Sequence, residues 1–458
     1  MSADHASTAS TPTAARLPLA TRQVLDSPRP VPSRRAMLGT AALLAPAALA
    51  GCGPGAGGGG NGRAEGLLVS WYGGVPVHEG VDGALAAFTT AHPDIPVTSE
   101  KAEFSAYWDK LATQTAGGQG PDVFRMSMSY FQEYADRGAL LDLSDFIGDA
   151  LDISSLDADV AASGDVGGGT FGIGQSSITH ATFRNTRLAE EHGIALPAAW
   201  SWDDFAEFCR SLAGAAGEGV YGSTDASGSF QIFEVWARQH GIDQFTEEGY
   251  AGTAELVEEW FALWQGLRAA KAVPPADITA EAGGFENSPL SLGNAAVEFG
   301  WVQQIAFYQP FLPEAPLEVA PVPGMTAGDL SGQFVKALDL WCVAATSANP
   351  EGAAQLIDFM VNDEEAVRSI GLTLGVPPSE SSRELLAAAP DTPEGRAIAY
   401  VESITGSTGE APGPWPVGYS TLLDAFSRVS QDVAFGNAEP SAAADDFVAQ
   451  AQEAIASA

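Results

Sequence analysis

The feature that most constrains the fold is a regular alternation of apolar runs and amphipathic segments between residues 67 and 138. Leu67–Trp71 is a short apolar run, and the segment after it places Val81, Leu85 and Phe88 on one helical face. The alternation then repeats twice, with strands predicted at residues 95–98 and 122–126 and helices at 107–116 and 130–138. This β-α-β-α-β-α order predicts a parallel sheet with helices on both faces.

The remainder of the chain predicts a second packed unit. A glycine-rich break at residues 164–174 is followed by a mainly helical segment that extends to about residue 284. Strand-like runs return at residues 295–301, 317–322 and 337–345, and the C-terminal part is helical again. A chain of 458 residues exceeds what one hydrophobic core usually supports, so two units are expected.

The N-terminal region carries the pattern of an export signal. Arg34 and Arg35 directly precede an apolar run at residues 36–51, which is shorter than a membrane-spanning helix requires. The arginine pair is typical of a twin-arginine signal. The tetrapeptide that ends at Cys52 resembles a bacterial lipobox, which implies that Cys52 is acylated. We therefore expect a signal peptide with an N-terminal extension at 1–51 and anchoring on the extracellular face of the bacterial cell membrane.

Composition limits the partners of the chain. Residues 52–66 are rich in glycine, as in a flexible tether, so membrane contact is expected through the lipid anchor only. The formal net charge is −37, which disfavours binding to nucleic acid. Cys209 and Cys342 both lie in apolar patterns and are predicted to be buried free thiols. The six histidines lack the spacing of metal ligands, so no metal or other cofactor is predicted.

A series of short motifs recurs in a fixed order from residue 67 to the end of the chain. Each motif is weak alone, and their shared order carries the signal. They are Trp71-Tyr72-Gly73-Gly74, Phe88 to Val97, Trp108 to Leu111, Gly118 to Val123, Tyr134 to Leu143, Pro197 to Phe205, Ala344 to Asp363 and Gly375-Val376-Pro377.

In this order the motifs resemble the extracellular solute-binding proteins (family 1, carbohydrate type) of bacterial ABC importers. Two departures stand out. Phe171-Gly172-Ile173-Gly174 replaces the usual Tyr-Gly-Ile-Pro, and Leu374 stands where the family often has arginine. Because proline would restrict the backbone at the crossing between the lobes, its loss predicts a freer crossing.

The resemblance implies an α/β, two-lobe periplasmic-binding-protein-like fold of type II, with interleaved lobes, a hinge and an interlobe cleft. Lobe one would comprise residues 67–175 and 338–375, and lobe two residues 176–337 and 376–458. It implies a monomeric, non-enzymatic substrate-binding protein that captures a sugar or oligosaccharide and delivers it to the transmembrane subunits of an ABC permease. Closure around the ligand would be a hinge motion.

Binding a sugar requires aromatic plates and a few fixed polar groups in a cleft. Candidates follow predicted strands, where ligands meet open α/β sheets. The candidate ligand contacts are Tyr72, Glu103, Tyr107, Met126, Ser127, Ser129, Tyr130, Gln175, Trp236, Trp301, Gln303 and Trp415.

The tryptophans fall into two groups, those predicted to stack on a ligand and those predicted to lie in the core. Trp301 ends a predicted strand and Trp415 lies between two prolines, so both are predicted to stack on a ligand. Tyr72 and Trp236 fit a ligand contact or the core equally well. The core set is Trp260, Trp264 and Trp341, which occupy apolar helix faces or strands.

Two alternatives to a sugar receptor remain at the level of sequence. A secreted carbohydrate-active enzyme would need two carboxylates across one cleft, and sequence does not exclude such a pair. A polyamine or peptide receptor is nominally favoured by the acidic charge, although most acids lie on solvated helix faces.

We predict that Cys52→Ala leaves the folded part intact but abolishes lipid anchoring. Cell fractionation and lipid labelling measure this, and wild-type fractionation with retained diacylglycerol would refute the lipobox assignment.

Replacing both Arg34 and Arg35 with lysine should block export of the folded protein. Normal export of this variant would indicate a route other than the twin-arginine pathway.

Overall fold

The computed structural model describes residues 66–246, 248–386 and 389–456. The predicted signal peptide, the lipidation site at Cys52 and the tether up to residue 65 lie outside the described residues. Within the described ranges, no helix combines the length and apolar character needed to span a membrane.

Strands and helices alternate one by one only up to residue 136. The strands are β1 Leu67–Tyr72, β2 Val97–Ala102, β3 Val123–Ser127, β4 Asp165–Val166, β5 Gly169–Thr170, β6 Ile173–Gly174, β7 His180–Arg184, β8 Phe245–Thr246, β9 Gly249–Tyr250, β10 Val297–Trp301, β11 Glu318–Ala320 and β12 Asp339–Val343. The α-helices are α1 Val75–Ala91, α2 Phe104–Ala116, α3 Met128–Asp136, α4 Ala158–Ala161, α5 Thr186–Glu191, α6 Trp202–Ala216, α7 Phe230–Gln239, α8 Ala254–Ala269, α9 Ala276–Glu281, α10 Ile305–Tyr308, α11 Pro350–Asn362, α12 Glu364–Ile370, α13 Glu380–Leu386, α14 Pro393–Ile404, α15 Tyr419–Ala434 and α16 Pro440–Ala456.

Lobe one is built on a five-stranded sheet in the order β2-β1-β3-β12-β6. Its first three strands are parallel, as the alternating pattern predicts. β12 runs antiparallel to β3, with Asp339 opposite Ser127, and β6 runs antiparallel to β12. The sheet is therefore mixed, because a strand from the end of the Gly-rich break and a strand from late in the chain complete it.

Lobe two contains a three-stranded antiparallel sheet in the order β10-β7-β11. The central strand, β7, opens a segment that the sequence pattern predicts to be mainly helical, and five of the α-helices, α5 to α9, do lie in that segment. All five residues of β7 are buried, including the polar side chains of His180, Thr182 and Arg184. His180, Thr182 and Arg184 share one face of the strand, and Ala181 and Phe183 share the other, so the strand buries its polar face as well as its apolar one.

Three chain segments at the boundaries expected between the lobes lie side by side. The Ser177 amide donates to the Val376 carbonyl at 2.7 Å. Ile178 and Lys336 exchange two backbone hydrogen bonds, at 2.9 Å and 3.0 Å. The first crossing is thus paired with both of the others, which makes the hinge a short ribbon of three strands rather than three independent linkers.

A buried ion pair ties the third crossing to lobe one. Arg383 donates to both oxygens of Asp157, at 2.8 Å and 3.2 Å. Asp157 also accepts from the hydroxyl of Ser177, on the first crossing, and Arg383 donates to the carbonyl of Pro377. This single arginine therefore links two of the three crossings.

Aromatic side chains dominate the core of lobe two. Trp260 and Trp264 are completely buried, with ring centroids 5.4 Å apart, and pack against Phe205 and its neighbours. Trp341 is 1% exposed in the core of lobe one. The prediction that all three tryptophans belong to the core is confirmed. Cys209 and Cys342 are buried free thiols, also as predicted.

The crossing from β6 is held tightly, which corrects the prediction of a freer crossing. Ile173 and Gly174 pair with β12. A Cβ atom added at Gly174 would lie 2.6 Å from Val160 Cγ1 and 2.8 Å from Ala337 Cβ. Close packing, which requires glycine at this position, takes the place of the proline.

We predict that Gly174→Ala destabilises the protein by about 1–3 kcal/mol, because the added methyl group overpacks the crossing. The matched control is Gly214→Ala in α6, where an added Cβ meets no atom within 4 Å. The control should stabilise the helix by up to about 1 kcal/mol. Denaturant unfolding of both variants measures the difference, and equal stabilities would contradict the packing argument.

Candidate functional site

The carboxyl ends of β1 and β3 meet the first residue of β12 in a buried polar network. Arg125 donates from Nη1 to the Tyr72 carbonyl and from Nη2 to Asp339 Oδ2, each at 2.8 Å. The Tyr72 hydroxyl donates to the other oxygen of Asp339. Burial, reinforced by the Asp339 carboxylate, raises the pKa of Tyr72 well above its usual value. The tyrosine therefore stays protonated and its hydroxyl is committed to Asp339.

Gln175, on the first crossing, completes this network. With its amide oxygen turned toward Arg125, it accepts from Nε and Nη2, both at 3.1 Å. The guanidinium carbon of Arg125 lies 4.3 Å from the centroid of the Tyr72 ring. Two predicted ligand contacts, Tyr72 and Gln175, are thus brought together, and their polar groups mainly fix the end of β1 relative to the hinge.

An aromatic cluster covers the same edge of the sheet. Tyr72 lies 5.1 Å from Tyr107, and Tyr130 stacks on Trp108 at 4.1 Å, between ring centroids. Phe104 lies 5.0 Å from Tyr72 and is 48% exposed. Three predicted contacts therefore share one cluster, together with Phe104 and Trp108, which the sequence analysis did not select.

The other candidates in lobe one differ in accessibility. Met126 is completely buried and Tyr107 is 1% exposed, with its hydroxyl donating to the Arg125 carbonyl at 2.6 Å. Both belong to the core in this conformation. Glu103 is exposed at the start of α2. Ser127 caps α3 by accepting from the Ser129 amide at 3.4 Å, and both serines are partly exposed.

Trp236 lies in the aromatic core of lobe two. Its ring centroid is 5.3 Å from Trp202 and 5.7 Å from Trp260. Trp236 is 8% exposed, which favours the core over a ligand contact. Gln303 is partly buried and lies two residues after the end of β10.

Trp301 lines a cavity of about 320 Å³ in lobe two, here called the Trp301 cavity. Its indole packs against the His180 ring, with 4.0 Å between ring centroids and a tilt of 32°. The N-terminal end of α7 and one side of α15 form other walls. Polar groups around the cavity include His180, Asp225, Ser227, Ser229, Thr279, Glu298, Ser427, Ser430 and Gln431.

His180 contributes a neutral imidazole to this cavity. Burial, with a smaller effect of the Arg238 guanidinium, lowers the pKa of His180 to about 3. Among the described residues, neither ring nitrogen has a hydrogen-bond partner. One nitrogen of a neutral imidazole donates and the other accepts, as a ligand hydroxyl would require.

Two carboxylates at the Trp301 cavity are already hydrogen-bonded. Glu298 accepts from the hydroxyls of Thr224 and Ser288 at 2.6 Å and 2.7 Å. Burial raises the pKa of Glu298, although these hydrogen bonds oppose the shift. Asp225 forms an ion pair with Arg268, and both side chains are buried. Asp225 therefore has a cationic partner, and the Glu298 carboxyl group is held in place by two hydroxyl groups.

Trp415 lines a second cavity of about 680 Å³, here called the Trp415 cavity. The indole is 4% exposed and stacks on Tyr419, with parallel rings 4.4 Å apart. The ammonium group of Lys336 lies 4.8 Å from the ring centroid. The free, preformed face predicted from the flanking prolines is therefore absent in this conformation, because Tyr419 occupies it.

A buried pair of opposite charges lies beside Trp415. The indole Nε1 donates to Glu234 Oε1 at 3.4 Å, and Lys336 donates to the carbonyls of Pro412 and Gly413. Burial raises the pKa of Glu234 and lowers the pKa of Lys336, while the attraction between the two groups opposes both shifts. Lys336 belongs to the second crossing, so this pair couples the hinge to the loop that carries Trp415.

Sequence reasoning missed several residues that organise these sites. Arg125, Lys336 and Asp339 each interrupt an apolar run, and that interruption was an available signal. His180 and Glu234 carry no comparable local signal, because their burial follows from distant segments. Among the described residues, no three His, Cys, Asp or Glu side chains cluster as metal ligands would.

Comparison with solved structures shows the same architecture. The chain superposes on a periplasmic solute-binding protein from Pectobacterium atrosepticum with a TM-score of 0.76 and 26% identity, over 86% of this chain and 100% of that one. An oligogalacturonide-binding protein from Yersinia enterocolitica, in complex with saturated digalacturonic acid, gives 0.74 and 22% over 86% and 99%. An ABC substrate-binding protein from Listeria monocytogenes, in complex with cycloalternan, gives 0.72 and 22% over 85% and 99%.

The family assignment rests on the sequence as well as the fold. A family model described as bacterial extracellular solute-binding protein matches residues 76–367, which is more than half of the chain. The two-lobe, type II architecture inferred from the motifs is confirmed by the structural neighbours. The family is one of binding proteins and is generally non-enzymatic. The chain belongs to the bacterial extracellular solute-binding proteins.

Proposed function

We propose that this protein is the membrane-anchored receptor of an ABC importer that captures a neutral sugar or oligosaccharide and delivers it to the permease. The observation that carries the proposal is the Trp301 cavity. It combines an indole with hydroxyl groups, a neutral imidazole and hydrogen-bonded carboxylates. An apolar plate surrounded by donors and acceptors matches a sugar, which has C–H faces and a rim of hydroxyls.

The electrostatics of the cavity favour a neutral ligand over a polyamine. A cationic ligand would require a carboxylate free to pair with it. Asp225 is already paired with Arg268, and burial raises the pKa of Glu298, which disfavours its charged form. The acidity of the chain as a whole therefore does not extend to this site.

The same contacts favour binding over catalysis. A glycosidase needs a carboxylic acid and a second carboxylate that are both free to reach the scissile bond. Glu298 is held by two hydroxyl groups and Asp225 by an arginine. These bonds suit fixed walls of a binding site.

The ligands named for two structural neighbours support the carbohydrate class. The Yersinia enterocolitica protein is an oligogalacturonide-binding protein, and the Listeria monocytogenes protein was solved with cycloalternan. We extend this class to the present chain as part of the proposal, because the Trp301 cavity offers the chemistry that such ligands need.

The remaining parts of the proposal concern lobes and localisation. We propose that lobe one comprises residues 67–175 and 338–375, and lobe two residues 176–337 and 376–458. Anchoring through Cys52 and the glycine-rich segment after it would keep a monomeric receptor beside its permease. Closure would bring the aromatic edge near Tyr72 and Tyr130 toward the Trp301 cavity.

A thermal-shift screen over neutral mono- and oligosaccharides tests the ligand class. At 100-fold excess over Kd the expected stabilisation is ~2.7 kcal/mol, which raises the melting temperature by a few degrees. Oligogalacturonides, spermidine and short peptides serve as charged comparisons. Stabilisation by spermidine or peptides alone, or release of sugar products during incubation, would contradict the proposal.

We predict that Trp301→Ala weakens sugar binding by roughly 1–3 kcal/mol, by analogy with aromatic stacking on nucleobases. The half-buried indole should contribute less to stability than a core residue does. The control, Trp264→Ala, removes a fully buried ring and should lose ~3–5 kcal/mol of unfolding free energy. Titration calorimetry and denaturant unfolding measure both variants. Wild-type affinity in Trp301→Ala would remove Trp301 from the site.

A further inference from the structure

Another cavity, of about 500 Å³, lies on lobe two and is here called the Lys271 pocket. Its described lining residues all fall between 210 and 275, at the C-terminal ends of α6 and α8 and in the turns that follow these helices. None of them comes from lobe one, and none lines the Trp301 cavity or the Trp415 cavity. The pocket is therefore separate from the cleft between the lobes.

Three cationic residues line this pocket, in a chain that has 58 acidic and 21 basic residues. They are Arg210, Arg268 and Lys271, and Glu218 is the one acid among the described lining residues. Glu218 is 92% exposed, and its carboxylate lies 3.9 Å from Lys271 Nζ. An exposed pair at this distance is weak, so Glu218 leaves the lysine available to a ligand. The charges of the wall favour an anion over a cation.

Arg268 brings a hydrogen-bond donor that is not used within the described ranges. Its Nη1 donates to Asp225 Oδ2 at 2.5 Å and to Ser227 Oγ at 3.0 Å. Its Nη2 is buried and has no partner among the described residues, and the side chain is 9% exposed. A guanidinium presents its donors as a fork that matches a carboxylate. The arginine is thus held on one side by Asp225 and lacks an acceptor on the other.

Lys271 holds a backbone conformation that indicates a function for its side chain. Its φ is +56°, whereas the other described residues with positive φ are all glycines. It follows α8 at the position where helices commonly end in glycine, and the Ala272 amide donates to the Leu267 carbonyl at 2.9 Å. The helix dipole accounts for a cation in the last turn, such as Arg268, but it does not account for a left-handed lysine where glycine fits better.

The rest of the pocket is largely apolar. Ala213, Tyr221, Val273 and Pro275 line it, and Tyr221 and Val273 are 8% and 1% exposed. Gly214 leaves the α6 wall open, because an added Cβ there would meet no atom within 4 Å. The volume of the pocket is within the range of small-molecule sites. An inorganic anion would leave the apolar wall uncovered, whereas an organic anion would use both the wall and the cations.

We propose that the Lys271 pocket binds a small organic anion, in which a carboxylate is carried on an aromatic ring or an alkyl chain. Arg210, Arg268 and Lys271 attract the carboxylate, and the apolar wall covers the rest of the molecule. This site goes beyond the proposed function and does not depend on sugar binding at the Trp301 cavity.

The test follows Tyr221 by fluorine NMR. The protein is labelled with fluorotyrosine, the Tyr221 resonance is assigned with Tyr221→Phe, and phenylacetate, indole acetate and octanoate are titrated. The corresponding uncharged amides serve as comparisons. We expect a saturable shift of the Tyr221 resonance with at least one carboxylate, and binding of its amide that is at least about tenfold weaker, which equals ~1.4 kcal/mol.

Two variants reduce the positive charge of the pocket. Lys271→Gly and Arg210→Gln should each weaken carboxylate binding about tenfold. Lys271→Gly also separates binding from folding, because glycine relieves the left-handed strain and the variant should melt at or above the wild-type temperature. The matched control is Arg187→Gln, which removes an exposed arginine of lobe two outside the pocket and should leave the titration unchanged.

A third variant, Gly214→Leu, fills the pocket from α6 and should abolish the shift. Leucine favours a helix more than glycine does, so this variant should remain folded. No saturable shift up to ~10 mM of any carboxylate, equal binding of the amides, or wild-type affinity in Gly214→Leu or in both charge variants would overturn the proposal. Failure of sugar binding at the Trp301 cavity changes none of these outcomes.

Discussion

The ion pair between Arg125 and Asp339 joins parts of the chain that are 214 residues apart, and the rest of lobe one is arranged around it. Both side chains are largely buried, at 8% and 14% exposure. Removing one partner of such a pair leaves a buried charge uncompensated, at a cost of about 3–5 kcal/mol. The pair also positions Tyr72 at the end of β1 and Gln175 at the start of the hinge. The sheet, the aromatic edge and the first crossing are thus set by one arginine.

The parallel strands of lobe one were predictable because their apolar runs and amphipathic helices are local features of the sequence. Val81, Leu85 and Phe88 are all buried against the sheet, as the helical spacing predicts. The alternating residues of β7 are also a local signal, but the burial of its polar face is not. Its polar side chains find their partners in distant segments, as when Arg184 donates to the Pro197 carbonyl and Thr182 to the Ala320 carbonyl. These hydrogen bonds compensate for the burial of the polar groups, and they can be identified only in the assembled structure.

The candidate site shows the same division between local and distant information. Neighbouring residues in the sequence are enough to place Trp301 at the end of a strand, and the structure places that residue at a cavity. The surroundings of Trp415 are not local, since Glu234 is 181 residues away and Lys336 belongs to the hinge. Flanking prolines indicate a rigid loop, but they carry no information on which ring will cover the indole.

The position of β12 has a consequence for how the chain folds. β12 is inserted between β3 and β6, although residues 175–338, which include most of lobe two, separate it from β6 in sequence. Until residues 339–343 have been synthesised, β3 and β6 each present an unpaired strand edge, and such edges are prone to pair with other chains. Contacts between residues so far apart in the sequence also form slowly, because a long loop must close first. The first lobe to emerge from the ribosome is therefore completed only after most of the second, and its unfinished sheet is where protection against aggregation is most needed.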